Sequence, residues 1–418
     1  MIAVEAAGAV AGSPSTRSRH GLRTRYEAWA LFAVAHLLLS VLSPLASDVT
    51  VVYRPWFETW AQHGTLVGID GPWVYPVLAL VPILAAGAVP GAYLLGWVLL
   101  VTVLDAAAFA MLLRRSRRAA IWWMVLLIAL GPVALTRLDS VTAPIAIAGL
   151  LLLAERPAVA STLLTVAAWI KVWPAAAVLA AWTATRSRRL VGLAAAATTA
   201  AVVALDAALG GLPHLLSFLP EQSTRGLQIE APVSTVFLWL GAFGLGHVRT
   251  YFDRHLLDVQ LVGDGSAAAG EIVTALTAAL VVALAVVALR GSRRGSWAGT
   301  GRFAHLVLAL LLVLITFNKV GSPQYVIWLA APVVLGLVVD PATFRRTATT
   351  VVALALLTQL SSYAAALNLG ALPLLGLTAR NALYLVLLMG SCRRVLAGTR
   401  LGSIGSRPAT GSAAVVRA

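Results

Sequence analysis

The sequence has few charged residues and almost no cysteine. Only 11% of its 418 residues are charged, whereas soluble domains carry about a quarter, so the chain cannot cover a water-facing surface of normal size. Cys392 is the single cysteine, which excludes a disulfide framework and a thiolate zinc site. HExxH, P-loop and GxGxxG motifs are also missing, as are metal-spaced His clusters. With 60% hydrophobic residues and a mean hydropathy of +0.89, the composition predicts an all-α polytopic membrane protein.

Acidic residues and lysine are scarce as well. The chain has 16 acidic and 31 basic residues, and all the basic residues except Lys171 and Lys319 are Arg. The Arg residues occur in short clusters between apolar segments, at 17–25, 114–118, 186–189, 290–294, 345–346 and 393–394. This distribution is typical of cytoplasmic loops under the positive-inside rule. We therefore interpret the net charge of +15 as a topological signal, and not as a nucleic-acid footprint.

The apolar segments predict a bundle of about 10–13 transmembrane or re-entrant helices, with both termini cytoplasmic. Three apolar segments, 75–88, 158–183 and 232–246, are short or contain Pro, which favours short or re-entrant helices facing a protein-lined cavity. The domain prediction is a disordered cytoplasmic tail at 1–26, one transmembrane domain at 27–392 and a second disordered cytoplasmic tail at 393–418. The candidate spans are 27–47, 92–113, 119–135, 141–154, 190–209, 271–290, 302–317, 325–339, 347–367 and 379–391.

Two predicted outer segments, 48–74 and 210–231, are too long to be simple connections. In the first, Val52, Trp56, Phe57 and Trp60 have a helical apolar spacing, which predicts an amphipathic helix in the membrane interface. The stretch 212–219 predicts a second one. Ordered helices at this surface indicate that the protein works on something at its outer face.

A few charged residues near the membrane are candidates for chemistry. Asp48 directly follows the first predicted span, where partial desolvation would help a carboxylate accept a proton from a bound hydroxyl; the alternative is a solvated residue that ends a helix. Lys171 lies at the break of an apolar segment and Lys319 between two spans. Either ammonium would suit a lipid phosphate. The alternatives are snorkelling for Lys171 and an ordinary loop position for Lys319. Arg137 and Asp139 form either one wall of a site or a self-compensating surface pair.

Four segments form an ordered set along the chain. They are Asp48-Val-Thr-Val-Val-Tyr53 with His63-Gly64, then Tyr75-Pro76, then Lys171-Val-Trp-Pro174, and finally Ser322-Pro-Gln-Tyr325 with Trp328 and Pro332. Together and in this order they resemble glycosyltransferase family 87. Members of this family are integral membrane, polyprenyl-phosphate-mannose-dependent mannosyltransferases with the GT-C fold. The chain departs from the family at Val77, where a second Pro is common, and at Arg137-Leu-Asp-Ser140, where many members have Gly-Gln.

The resemblance implies an inverting hexosyltransferase that moves a sugar, expected to be mannose, from a polyprenyl-phosphate donor to an outer-face glycolipid or glycan. Asp48 would be the general base. No metal or other cofactor is expected, because the donor carries one phosphate and the protein supplies the cations. The implied donor-phosphate ligands are Lys171, Lys319, Arg54 and Arg137, and the implied substrate-binding residues are Tyr53, His63, Tyr75, Asp139, Asn318, Gln324 and Tyr325.

Two other classes of protein remain open at this point. A transporter or flippase of a lipid-linked or anionic substrate would also have broken helices and lysines at membrane depth, although the two halves of the chain show no internal repeat. A membrane scaffold without catalysis would leave Asp48 and both lysines unexplained.

Overall fold

A computed structural model describes residues 14–46, 48–223, 225–254, 258–366 and 371–400. This part of the chain forms a helical bundle with one small sheet. The helices are α1 (Pro14–Leu42), α2 (Arg54–His63), α3 (Leu80–Ala86), α4 (Tyr93–Arg115), α5 (Arg117–Leu130), α6 (Leu138–Leu152), α7 (Pro157–Ile170), α8 (Ala175–Ala184), α9 (Arg188–Ala208), α10 (Phe218–Ser223), α11 (Ser234–Ala242), α12 (Ser266–Ser292), α13 (Gly301–Thr316), α14 (Ala330–Val339), α15 (Pro341–Ala366) and α16 (Leu372–Arg400).

The helices have the lengths and composition of a multi-pass membrane protein. Within the described ranges, six helices are long and apolar enough to cross a bilayer, and several shorter apolar helices pack among them. The three most buried elements, α6, α13 and α14, lie at the centre of the bundle. Each of the ten candidate spans coincides with a helix, which confirms the all-α, membrane-type class.

The segments broken by Pro do form short helices. Residues 158–183 divide into α7 and α8, and Lys171 caps α7 with extended backbone, because Pro174 cannot continue the α7 hydrogen-bond ladder. Residues 75–88 form a 3-10 turn followed by the seven residues of α3. Both breaks lie at the same end of the bundle.

The helical region extends further than predicted at both termini. Helix α1 begins at Pro14, within the predicted disordered tail 1–26, and α16 continues to Arg400, within the predicted tail 393–418. At the C-terminal end, Val395 is fully buried and its carbonyl accepts two hydrogen bonds from Arg302, which anchors the last turns of α16. Residues 1–13 and 401–418 lie outside the described ranges.

One end of the bundle, called the basic end, is rich in Arg. Arg115, Arg117 and Arg302 make contacts there, and the long helices that connect this end to the opposite one alternate in direction. The contacts that join this end are Arg115 with Glu155, Arg117 with Glu27, Ser292 with the Thr183 carbonyl, and Arg302 with the Val395 carbonyl. The opposite end, called here the site end, carries Asp48, Arg137 and Lys171.

The site end also carries a sheet that the sequence did not predict. Strands β1 (Leu227–Gln228), β2 (Arg249–Asp253) and β3 (Asp258–Val262) pair antiparallel in the order β1-β3-β2. In segment 48–74 the predicted helix is present as α2, and its place in the membrane interface stays a prediction. In the second outer segment, however, residues 212–217 form turns that lead into the six-residue α10, since Pro213 and Pro220 interrupt a longer helix.

Candidate active site

The site is built around an ion pair between two residues that the sequence had singled out. Asp48 precedes the π-helical turn Val49–Tyr53, and Arg137 precedes α6 with extended backbone. The Arg137 guanidinium pairs with the Asp48 carboxylate, and the two side chains are 18% and 29% exposed. The pair is thus half-buried and open to a ligand from the site end.

A second, more deeply buried ion pair involves Asp139, two residues after Arg137 in the first turn of α6. Lys171 Nζ is 3.5 Å from Asp139 Oδ2, and Asp139 is only 1% exposed. The other carboxylate oxygen accepts a 2.6 Å hydrogen bond from Trp328 Nε1. Lys171 also lies over the Tyr75 ring, 4.6 Å from its centroid. Asp139 is in the first turn of its helix, where the helix dipole favours a negative charge.

Aromatic side chains connect the two ion pairs. The Tyr53 hydroxyl accepts a hydrogen bond from the Leu138 backbone N–H at 3.2 Å, so the turn that carries Asp48 is held against the residue between Arg137 and Asp139. Tyr325 contacts Trp328 with ring centroids 4.2 Å apart. Tyr53, Tyr75, Asp139 and Tyr325, all predicted to bind substrate, therefore line the same region as the two pairs.

Two further charged residues of the site were not predicted. Arg380 of α16 is only 3% exposed; its Nη1 is 3.6 Å from Glu230 Oε2, and its Nη2 donates a hydrogen bond to the Glu230 carbonyl. The Glu230 carboxylate in turn lies within electrostatic reach of Arg137. The signal for Arg380 was a charged residue inside the predicted span 379–391, which is costly and generally functional. Glu230 gave no local signal.

Burial and neighbouring charges set the ionisation of the groups in the connections between helices. Burial lowers the pKa of Arg137 to about 10, and Asp139 and Glu230 oppose that effect. Burial acts to lower the pKa of Lys171, but Asp139, Tyr75 and Tyr325 outweigh it and the pKa is raised. Burial raises the pKa of Glu230, against the effects of Arg380 and Arg137. Both cations consequently remain charged at neutral pH.

The connection 318–324 lies beside this cluster without joining its ion pairs. Lys319 Nζ is 3.4 Å from Glu271 on α12. Asn318 and Gln324 make hydrogen bonds within their own connection, to the Val320 backbone N–H and the Ser322 hydroxyl. The predicted role of these three residues in binding donor or substrate therefore has less geometric support than that of Lys171.

Two other predicted residues, Arg54 and His63, lie on α2 away from the cluster. Arg54 Nε donates a 2.7 Å hydrogen bond to Glu58 Oε1, an i,i+4 pair between exposed side chains. His63 is exposed at the last residue of the helix. An i,i+4 pair of this kind is common on helix surfaces, so the position of Arg54 has an explanation without a ligand.

An apolar groove on the outside of the bundle comes close to the cluster, and its wall residues Val172 and Trp182 are 49% and 43% exposed. It has a volume of about 530 Å³ and lies among α7, α8 and α9, with Trp169, Val172, Trp182 and Gly192 in its walls. Pro76 and Phe218 line it as well. Ala175 and Trp182 both line it, and since α8 rises about 1.5 Å per residue, these two residues are about 10 Å apart along the helix. Val172 and Pro76 directly follow Lys171 and Tyr75 in the chain, so the groove ends beside the cation that lies over Tyr75.

The arrangement can bind an amphipathic anion. Two cations, each with a carboxylate partner, lie at the site end, and one of them, Lys171, directly precedes the groove residue Val172. No group of three or more His, Cys, Asp or Glu in the described ranges is placed to hold a metal ion. No protein-family model and no curated protein matches this sequence. The function must therefore be argued from the site.

Proposed function

We propose that the protein is an integral membrane glycosyltransferase that transfers a hexose from a polyprenyl-phosphate sugar to a cell-envelope glycolipid or glycan. The observation that carries the proposal is the apolar groove ending beside Lys171 and Tyr75. A lipid phosphate needs this combination, because its chain must avoid water and its phosphate must meet fixed cations. Mannose is the expected sugar through the resemblance to glycosyltransferase family 87.

The carboxylate–cation pairs suit a direct displacement. Asp48 would take the proton of an acceptor hydroxyl, whose oxygen attacks the anomeric carbon as the bond from that carbon to the phosphate oxygen breaks. The electron pair of that bond stays on the lipid phosphate. Lys171 and Arg137 would stabilise the developing negative charge, since each is a buried or half-buried cation held in place by a carboxylate. One displacement of this kind inverts the anomeric configuration.

The Asp48–Arg137 pair suggests an order of events. The Arg137 guanidinium is bound to Asp48 Oδ2, and this ion pair weakens the carboxylate as a base for an acceptor hydroxyl. A donor phosphate would compete for Arg137, because phosphate and guanidinium form a strong charge-assisted pair. Donor binding would thus release the base that activates the acceptor.

The basic end supports an outer location for the site. Arg clusters resist translocation across the membrane, so the basic end is expected to face the cytoplasm, with both termini on that side. The site end would then face outward, where a polyprenyl-phosphate sugar and an envelope acceptor meet.

The test uses the purified full chain with radiolabelled polyprenyl-phosphate-mannose and a membrane lipid extract. We expect the wild type to move label to a new glycolipid, and Asp48→Asn to reduce the rate by about 10²- to 10⁴-fold, the usual contribution of a general base. Glu58→Gln is the matched control, because this acid lies in the same outer segment but is paired with Arg54 on the exposed face of α2.

Each alternative result has a definite meaning. Transfer that persists in Asp48→Asn would refute Asp48 as the base while retaining the reaction. Movement of lipid-linked sugar across the bilayer of reconstituted vesicles, without transfer to any acceptor, would refute the enzyme and establish a transporter.

A further inference from the structure

One oxygen of the Glu230 carboxylate, Oε2, is a hydrogen-bond acceptor without a donor in the described part of the chain. This atom is buried and makes no hydrogen bond there, although Arg380 Nη1 is 3.6 Å away. An ionised carboxylate has about four acceptor positions, and leaving buried ones empty costs free energy. An unfilled acceptor beside a site therefore indicates a ligand that supplies donors.

The backbone around Glu230 is held in place from two sides. Arg380 donates a hydrogen bond to the Glu230 carbonyl, and Asn381 Nδ2 donates one to Thr235 Oγ1 at 2.7 Å. On the other side, a Cβ added to Gly321 would lie 2.2 Å from the Glu230 carbonyl carbon, so the connection 318–324 contacts this residue directly. Glu230 is consequently presented to the site from a rigid support, as specific recognition requires.

The charges around Glu230 restrict the class of ligand. Arg380 and Arg137 already act on this carboxylate, so a further cation would be repelled by both. An anion in direct contact with Glu230 would be repelled by the carboxylate, whereas a phosphate at Arg137 would be held by the guanidinium. The group that suits the position is a neutral donor, and a sugar hydroxyl next to a phosphate bound at Arg137 meets this requirement.

We propose that Glu230 binds a hydroxyl of the transferred hexose and thereby sets the sugar specificity of the site. The inference rests on the proposed glycosyltransferase function and adds the residue that would recognise the sugar. Arg380 is the positioning residue, because it holds Glu230 through both the backbone carbonyl and the side chain.

The test measures kcat/KM of the full chain in lipid nanodiscs with polyprenyl-phosphate-mannose and with its 2-, 3-, 4- and 6-deoxy analogues. In the wild type, loss of the hydroxyl bound by Glu230 should reduce kcat/KM by about 10- to 100-fold, the effect of one hydrogen bond to a charged group. That factor should be smaller in Glu230→Gln, whose neutral amide oxygen accepts less strongly, and close to one in Glu230→Ala. If Glu230→Ala does not fold, the comparison of the wild type with Glu230→Gln still tests whether Glu230 binds a sugar hydroxyl.

Asp264→Asn is the matched control. Asp264 is an exposed acid in the connection between β3 and α12 and pairs with His247, so this variant should retain the wild-type factors for every analogue. The proposal would be overturned if the deoxy analogues reduced kcat/KM by the same factor in the wild type, Glu230→Gln and Glu230→Ala. It would also be overturned if the variants lost kcat equally for all donors, because Glu230 would then act as a base. Absence of sugar transfer by the wild type would overturn the proposed function itself, and the wild-type assay alone tests this point.

Discussion

The buried pair between Asp139 and Lys171 gives the sharpest stability prediction. Asp139 is 1% exposed, Lys171 is 17% exposed and their charged atoms are 3.5 Å apart. Removing one partner of such a pair leaves an uncompensated charge at low dielectric, which typically costs about 3–5 kcal/mol. We expect this cost for Asp139→Asn and, separately, for Lys171→Met, which preserves most of the apolar side-chain stem.

The double variant should be more stable than either single variant. With both charges removed, no buried ion lacks a partner, and an asparagine oxygen can still accept the Trp328 hydrogen bond, now 2.6 Å long. The remaining cost is then the difference between a charged and a neutral acceptor, about 1 kcal/mol. The prediction is that the double variant loses less stability than the two single variants added together, whatever the size of the difference.

The measurement is the free energy of unfolding in mixed micelles by titration with a denaturing detergent. The chain contains 13 Trp residues, so intrinsic fluorescence gives a signal without labelling. Asp139→Asn, Lys171→Met and the double variant complete a cycle with the wild type. Additive losses, with the double variant the least stable of the four, would refute the assignment of Asp139 and Lys171 as an energetically coupled pair.

Two other contacts yield predictions of the same kind. His36 Nε2 lies 3.1 Å from Asp105 Oδ2, with both side chains buried between α1 and α4. His36→Leu leaves the buried carboxyl without this hydrogen-bond partner and should destabilise by about 1–3 kcal/mol. The same detergent titration should show a smaller loss for Asp105→Asn, whose amide can still hydrogen-bond to His36, and the opposite order would contradict the pairing. Gly321→Ala should reduce both the free energy of unfolding and the rate of sugar transfer, because the added Cβ would lie 2.2 Å from the Glu230 backbone. Gly295→Ala is the control, since a Cβ there has no atom within 4 Å. Equal effects of the two variants would contradict a tight contact between Gly321 and Glu230.

Local composition was sufficient to predict most of the helices. A segment such as 190–209 or 271–290 is apolar over a length that matches a bilayer. Because its backbone groups must form hydrogen bonds within the segment, a helix is its stable conformation. The same reasoning placed the break at Lys171, where Pro174 ends the hydrogen-bond ladder. It failed at 225–262, because short strands of mixed polarity acquire their stability from pairing with each other and not from their own sequence.

The candidate site was predictable in part. Asp48, Arg137, Asp139 and Lys171 stood out because charged groups near or within an apolar environment are costly and need a compensating partner or ligand. Arg54 and Lys319 stood out for the same reason, but the structure gives them the partners Glu58 and Glu271. A charged residue in an apolar segment therefore identifies a candidate site residue, but it does not show which other residue it contacts.

The sequence by itself determined that the chain is a membrane-type helical bundle, where its helices lie and which residues carry isolated charge, since these properties depend on free energies that are local along the chain. Only the tertiary structure decided the partners. Asp139 and Trp328 are separated by 189 positions and share a 2.6 Å hydrogen bond, and Glu230 reaches Arg137 and Arg380 only because a sheet and α16 dock at the same end of the bundle. Such pairings depend on how helices pack against one another, and helix packing is a property of the whole chain.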